Sequence, residues 1–202
     1  MKTVKDDSAS TTEDTSERRV GGIIQALRAG KGLSLRTLAA RSGFSPSFIS
    51  QVEHGQASPS IASLEKIAAS LGVTLSEFFS AARSVPASQA VTIVRAGDRA
   101  EITSGWSRAT LEALGPTGTG DTLEPVMLTL EPKGRSGSRP AAHEGQEFAI
   151  VWEGEVRLTH GDTAHRLAAG DSVTIGSGTP HRWENVGTSR ACVLVVGAHH
   201  SR

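Results

Sequence analysis

The chain has 202 residues, enough for one large domain or two small ones that each bury a core. Its 21 basic and 21 acidic side chains cancel, and its single cysteine, Cys192, excludes an intrachain disulfide and with it a disulfide-stapled secreted domain. The sequence has no apolar run of about 18 residues and its N-terminus is polar and acidic, so the expected location is the cytoplasm, with no membrane partner.

The zero net charge hides an uneven distribution. Residues 1–17 carry two Lys against five acids, residues 18–83 eight basic against three acidic, and residues 84–202 eleven against thirteen. Only the middle segment is basic. That suits contact with phosphates, although solvated charge on a small helical domain gives the same balance.

Residues 1–17, MKTVKDDSASTTEDTSE, have almost no apolar side chains to repay the entropy of ordering, and a disordered tail is expected. A first helix is predicted from Arg18 to Ala29, with Val20, Ile23, Ile24 and Leu27 inward and Gly30 and Gly32 ending it. Ser34 then caps a second helix whose apolar positions Leu35, Leu38 and Ala39 fall at i, i+3 and i+4, with Gly43 just past its end. After a sharp turn, Ser45 is the next cap and Pro46 a preformed first residue; Ile49 and Val52 face inward before Gly55 stops the helix. This is the pattern of a helix-turn-helix, and it leaves Ser47, Ser50 and Gln51 on an outer face where side chains reach base edges in the major groove. Ser60 starts a fourth helix with Ile61, Leu64, Ile67, Ala68 and Leu71 inward, closed by Gly72. A fifth begins at Thr74, where TLSE forms a capping box and Leu75, Phe78 and Phe79 can seal the bundle.

Residues 18–83 therefore read as one helical domain and 84–90 as a linker of small and polar residues. From Val91 the apolar pattern shortens to the alternation of strands, with eight expected: 91–95, 107–114, 126–130, 148–153, 155–159, 164–167, 172–175 and 193–196. Many short strands of similar spacing point to a small barrel or jelly roll over residues 91–199, with Cys192 inside a buried strand.

The residues Leu38-Ala39, Gly43, Ile49-Ser50, Glu53-x-Gly55 and Pro59-Ser60 resemble the lambda-repressor-like, XRE-type family of bacterial regulators over residues 18–82. The resemblance implies a five-helix DNA-binding domain whose base contacts come from the start of the second motif helix: Pro46, Ser47 and Gln51, with Ser50 beside them and the capping Ser45 counted with the DNA-binding residues. Members often carry a phosphate-holding polar residue where this chain has Leu35, so Arg36 or Arg41 must supply that grip here.

In the β half, His143, Glu147 and Gly154, then Gly170, Gly178, His181 and Asn185, resemble the two motifs of the cupin family. Ala141 stands where the first motif has another His, and Gly176 where the second has Pro. The resemblance implies a cupin β-barrel in which His143, Glu147 and His181 hold one divalent metal ion, with zinc, iron, manganese and nickel all compatible. Two readings stay open beside it: hydrogen-bonding residues in a barrel that has abandoned its metal, and recognition of an anionic effector. Glu144 is expected to point outward, Trp152 and Trp183 to fill the barrel, and His160, His165, His199 and His200 to lie on the surface.

Together the two halves resemble sequence-specific transcriptional regulators that bind double-stranded operator DNA, as homodimers, under control of a small-molecule effector or metal sensed by the cupin domain. The alternative is a mononuclear non-haem iron enzyme, since hydroxypropylphosphonate epoxidase is similar in layout; that reading makes the same triad iron ligands. Against it stands the lack of any Tyr and of an evident general base beside the triad.

Overall fold

Apolar residues at helical spacing build the first half of the chain. The structure, a computed structural model, describes residues 20–73, 78, 91–115 and 123–198. Helix α1 covers residues 20–30, followed by α2 (Leu35–Ser42), α3 (Pro46–Glu53) and α4 (Ile61–Ser70). Ile24, Leu38, Ile49, Leu64, Ile67 and Phe78 are almost wholly withdrawn from solvent, each contributing roughly 1.5–3 kcal/mol of burial. The expected caps are present: Ser34, Ser45 and Ser60 accept hydrogen bonds from the amides of Thr37, Phe48 and Ser63. Gly43 ends α2 in the left-handed conformation that disfavours a side chain.

Helix α1 lies tightly on the end of α3. A Cβ at Gly21 would stand 2.3 Å from the Val52 carbonyl oxygen, so only glycine permits this approach. Two turns further on, Arg28 grips Glu53 with two parallel hydrogen bonds, 2.6 and 2.8 Å, and donates a third to the Leu33 carbonyl. The expected fifth helix, from Thr74, falls outside the described residues except for Phe78, which is helical and buried. The expected tail, residues 1–17, and linker, 84–90, also lie outside them.

The second half forms two antiparallel sheets. The strands are β1 (Glu101–Ser104), β2 (Ala109–Ala113), β3 (Leu123–Leu130), β4 (Gln146–Glu153), β5 (Glu155–His160), β6 (Thr163–Ala168), β7 (Ser172–Ile175), β8 (His181–Asn185) and β9 (Ala191–Ala198). The larger sheet has the order β1-β2-β3-β9-β4-β7 and the smaller the order β6-β5-β8. Alternation along each strand sends Leu128, Leu130, Ala149, Val151, Val156, Leu158, Val193 and Val195 to the core. Cys192 is buried on β9, as expected. Asn185 is buried at the end of β8, where its amide donates to the carbonyls of Leu130 and Ser189 and accepts from the Gly187 amide, tying loop ends together.

Three expectations need correction. Residues 91–95 form no strand: their alternation is real, but they find no partner strand among the described residues, and Val91 and Ile93 are 72% and 66% exposed. Conversely β1 and β8 form where none was expected, because pairing with β2 and β5 compensates for their charged or polar residues. Trp183 fills the core as expected at 3% exposure, whereas Trp152, on the opposite face of β4 from Val151, is 67% exposed.

Candidate functional site

On the helical half, Arg36, Arg41, Ser45, Pro46, Ser47 and Gln51 are exposed and Ser50 is half-buried. Packing of Ile49 and Val52 against the core turns one face of α3 outward, and Pro46, Ser47 and Gln51 stand on it. Ser45 uses a lone pair of its hydroxyl as the cap of α3, which leaves its O–H free to donate elsewhere.

On the β half, the strands and loops bring His143, Glu147 and His181 together, with one ligand atom from each lying within 4.8 Å of the others. Glu147 stands on β4 and His181 opens β8. His143 sits in the loop before β4 and not on a strand, so its relation to Ala141 does not come from strand alternation. Ala141 is placed by a two-residue bridge to His181.

The geometry assigns the protons. His181 Nδ1 is 3.0 Å from the Thr179 carbonyl oxygen, which can only accept, so Nδ1 carries hydrogen and Nε2 faces Glu147 Oε2 at 3.2 Å. A neutral His181 would therefore set a lone pair against a carboxylate, and a proton or a cation is needed between them. Burial opposes charge on His181, yet the bond to Glu147, the Thr179 carbonyl and the charges of Glu147 and Glu65 outweigh it and raise its pKa above the ordinary 6.5. His143 is held between two carboxylates: Nε2 lies 3.5 Å from Glu147 and Nδ1 3.5 Å from Glu65. The imidazole rings stand 5.0 Å apart, nearly edge to face. Two imidazoles and one carboxylate, oriented so that both Nε2 atoms approach that carboxylate, fit a divalent metal taken on one face.

A cavity of about 1040 Å³ opens beside this triad, and its wall is shared by the two halves of the chain. The β half supplies Leu128, Trp183 and Val195, and α4 supplies Ala62, Glu65 and Ala69. Burial raises the pKa of Glu65 above the usual carboxylate range, against the attraction of His143. Glu65 was not legible beforehand: within IASLEKIAAS it occupies a polar position that reads as solvent face, and only the seating of α4 against the sheets turns it inward. Glu144 is exposed, as expected. Of the surface histidines, His165 is exposed and His160 partly so, and their rings stack at 5.3 Å; His199 and His200 lie outside the described residues.

Residues 24–78 match the helix-turn-helix family and residues 126–197 the cupin domain family. The HTH-type transcriptional regulator PuuR of Escherichia coli is 32% identical over 179 residues, spanning 89% of this chain and 93% of that protein. The chain belongs to the HTH-type transcriptional regulators with a C-terminal cupin domain. An HTH_3 family transcriptional regulator from Vibrio cholerae shares the whole layout, with a TM-score of 0.73 and 25% identity over 94% of this chain and 99% of that one. Hydroxypropylphosphonic acid epoxidase from S. wedmorenis aligns over 91% of this chain and 99% of its own, but at a TM-score of 0.46 and 20% identity, too distant to bear on chemistry. This HTH–cupin chain is thus a DNA-binding transcriptional regulator. Among the described residues no helix is long and apolar enough to cross a membrane.

Proposed function

We propose that this regulator reads a specific operator with α3 and that its affinity for DNA is set by what occupies the cavity beside His143, Glu147 and His181. Arg36 and Arg41 hold phosphates, while Ser45, Pro46, Ser47, Ser50 and Gln51 face the bases. The occupant is one divalent metal ion on the triad, with or without a small effector molecule completing its coordination. The donor set accommodates zinc, iron, manganese or nickel. The observation that carries this reading is the shared wall: a ligand in the cavity touches both the sheets and α4, so it has differential contacts with any arrangement of the two halves.

The domain plan that goes with it is a tail over residues 1–17, the DNA-binding unit over 18–83 with a fifth helix around Phe78, a linker over 84–90 and a cupin barrel, walled by the two sheets, over 91–199. The protein works in the cytoplasm as a homodimer, since one helical unit of this size touches few bases. Paired units then meet half-sites about 34 Å apart. Supporting the dimer, three large apolar residues stand exposed on the outer face of the larger sheet: Phe148 and Trp152 on β4 and Leu123 on β3 are 46%, 67% and 58% exposed.

The test uses full-length protein stripped of metal and a duplex that it selects from a random pool. Affinity for that duplex, measured at fixed salt with and without added Zn, Mn or ferrous ion, is expected to change by several-fold, and the change is expected to vanish in His181→Ala. An affinity indifferent to all three ions discards metal control and leaves recognition of an organic effector by hydrogen bonds.

A further inference from the structure

Two contacts define how α4 meets the β half. The Ala62 amide donates to the Ser136 carbonyl at 3.1 Å, and a Cβ at Gly137 would lie 2.7 Å from the Ala62 Cβ, so helix and loop meet without slack. One turn along the same helix, Glu65 Oε2 lies 3.5 Å from Nδ1 of His143. The opposite ring nitrogen, Nε2, points to Glu147.

We propose that Glu65, a residue of the DNA-binding half, is the outer carboxylate of the metal site, positioning His143 and thereby tying occupancy of the cupin site to the seat of α4. This rests on the metal reading given above. An imidazole that binds a metal through Nε2 carries its proton on Nδ1, and that N–H requires an acceptor. In His143 the group facing Nδ1 is Glu65, which comes from the other half of the chain. At 3.5 Å the two groups stand just beyond an ordinary N–H···O bond; a metal on Nε2 makes Nδ1–H the donor and favours closing the remaining few tenths of an ångström. Linkage then runs both ways: metal tightens the contact between α4 and the sheets, and whatever pulls α4 away weakens the metal.

Glu65 does not touch the metal in this arrangement, so its variants keep all three ligands. In full-length protein titrated calorimetrically with Zn or Mn, Glu65→Ala is expected to weaken binding by about 10–100-fold. Glu65→Gln, which keeps size and an acceptor oxygen, is expected to restore part of that loss; it also serves as the variant of record if the alanine form does not fold. In the same proteins, the metal-dependent change in affinity for the selected duplex is expected to shrink in Glu65→Ala relative to wild type. Equal metal affinity in wild type and both variants overturns the positioning role. Weakened metal binding with an undiminished effect of metal on DNA overturns the tie to α4. If wild type takes up neither ion, this proposal falls together with the metal reading, whereas loss of binding in His181→Ala with no change in the Glu65 variants sinks the proposal alone.

Discussion

Ala141 and His181 exchange both backbone hydrogen bonds, at 2.9 and 2.8 Å, which makes them directly opposed residues of a short antiparallel bridge. Directly opposed residues project their side chains on the same face, with Cβ atoms about 4.5–5.5 Å apart. Since His181 points into the triad, a side chain at position 141 starts from its edge.

Ala141→His is therefore expected to add a fourth ligand and tighten metal binding, with the direction of change as the criterion. Calorimetric titration with Zn and Mn checks it. Weaker binding in this variant would mean that the new imidazole blocks the site instead of completing it.

Acid is expected to expel the metal earlier than free histidine would predict. Ligation needs neutral imidazole, and His181 holds its proton to a pH above 6.5, so metal affinity should fall as pH drops through that raised value. The metal-free protein behaves oppositely. The raised pKa stabilises the fold fully below about 6.5, the unfolded value, and this contribution is lost as pH rises through the folded one. Thermal melts between about pH 5 and pH 8, with and without zinc, separate the two trends. A metal-free protein with no such loss across the window would contradict the protonation assigned to His181.

Gln51→Ala removes an exposed amide able to bond adenine through two hydrogen bonds and is expected to cost roughly 1–3 kcal/mol at the specific duplex. Binding to unrelated duplex should stay nearly constant. Titrations on both duplexes at one salt concentration decide it; an unchanged specific affinity removes Gln51 from the list of base readers.

Breaking the clamp between α1 and α3 is expected to cost more than any surface change. Glu53 is 1% exposed at its side chain and Arg28 16%, so Glu53→Ala strands a guanidinium in a partly dry site, a loss of about 3–5 kcal/mol. Chemical denaturation of the full chain measures this. A loss below about 1 kcal/mol would place the pair with ordinary surface ion pairs.

Trp152→Glu puts a charge on the exposed apolar face of β4 and is expected to convert the proposed dimer to a monomer, read by sedimentation equilibrium. A dimer that survives the change would place the interface elsewhere.

The helical half was legible because its signals are local. Ser34, Ser45 and Ser60 cap helices within four residues of themselves, and Ile49 and Val52 declare their inward face by spacing alone. His143, Glu147 and His181 were legible as a set through motif spacing. What escaped was set by partners distant in sequence. Val91 and Ile93 alternate like a strand but have nothing to pair with among the described residues, whereas HRWEN looks unpromising and is held in place by β5. Glu65 is the sharpest case, since no local feature distinguishes a glutamate facing water from one facing a histidine 78 positions away.

Strand β4 serves two surfaces at once. Glu147, Ala149 and Val151 point to the cavity and core, and Phe148 and Trp152 to the outside, with a bulge opening only between Val151 and Glu153. Because neighbouring side chains alternate, one residue inserted or deleted inside the strand would move the residues on one side of the change to the opposite faces, so that Glu147 and Phe148 could not keep their places together with Ala149 and Val151. The strand can therefore drift in residue type but not in length, and insertions among relatives are expected only in the turns at its ends.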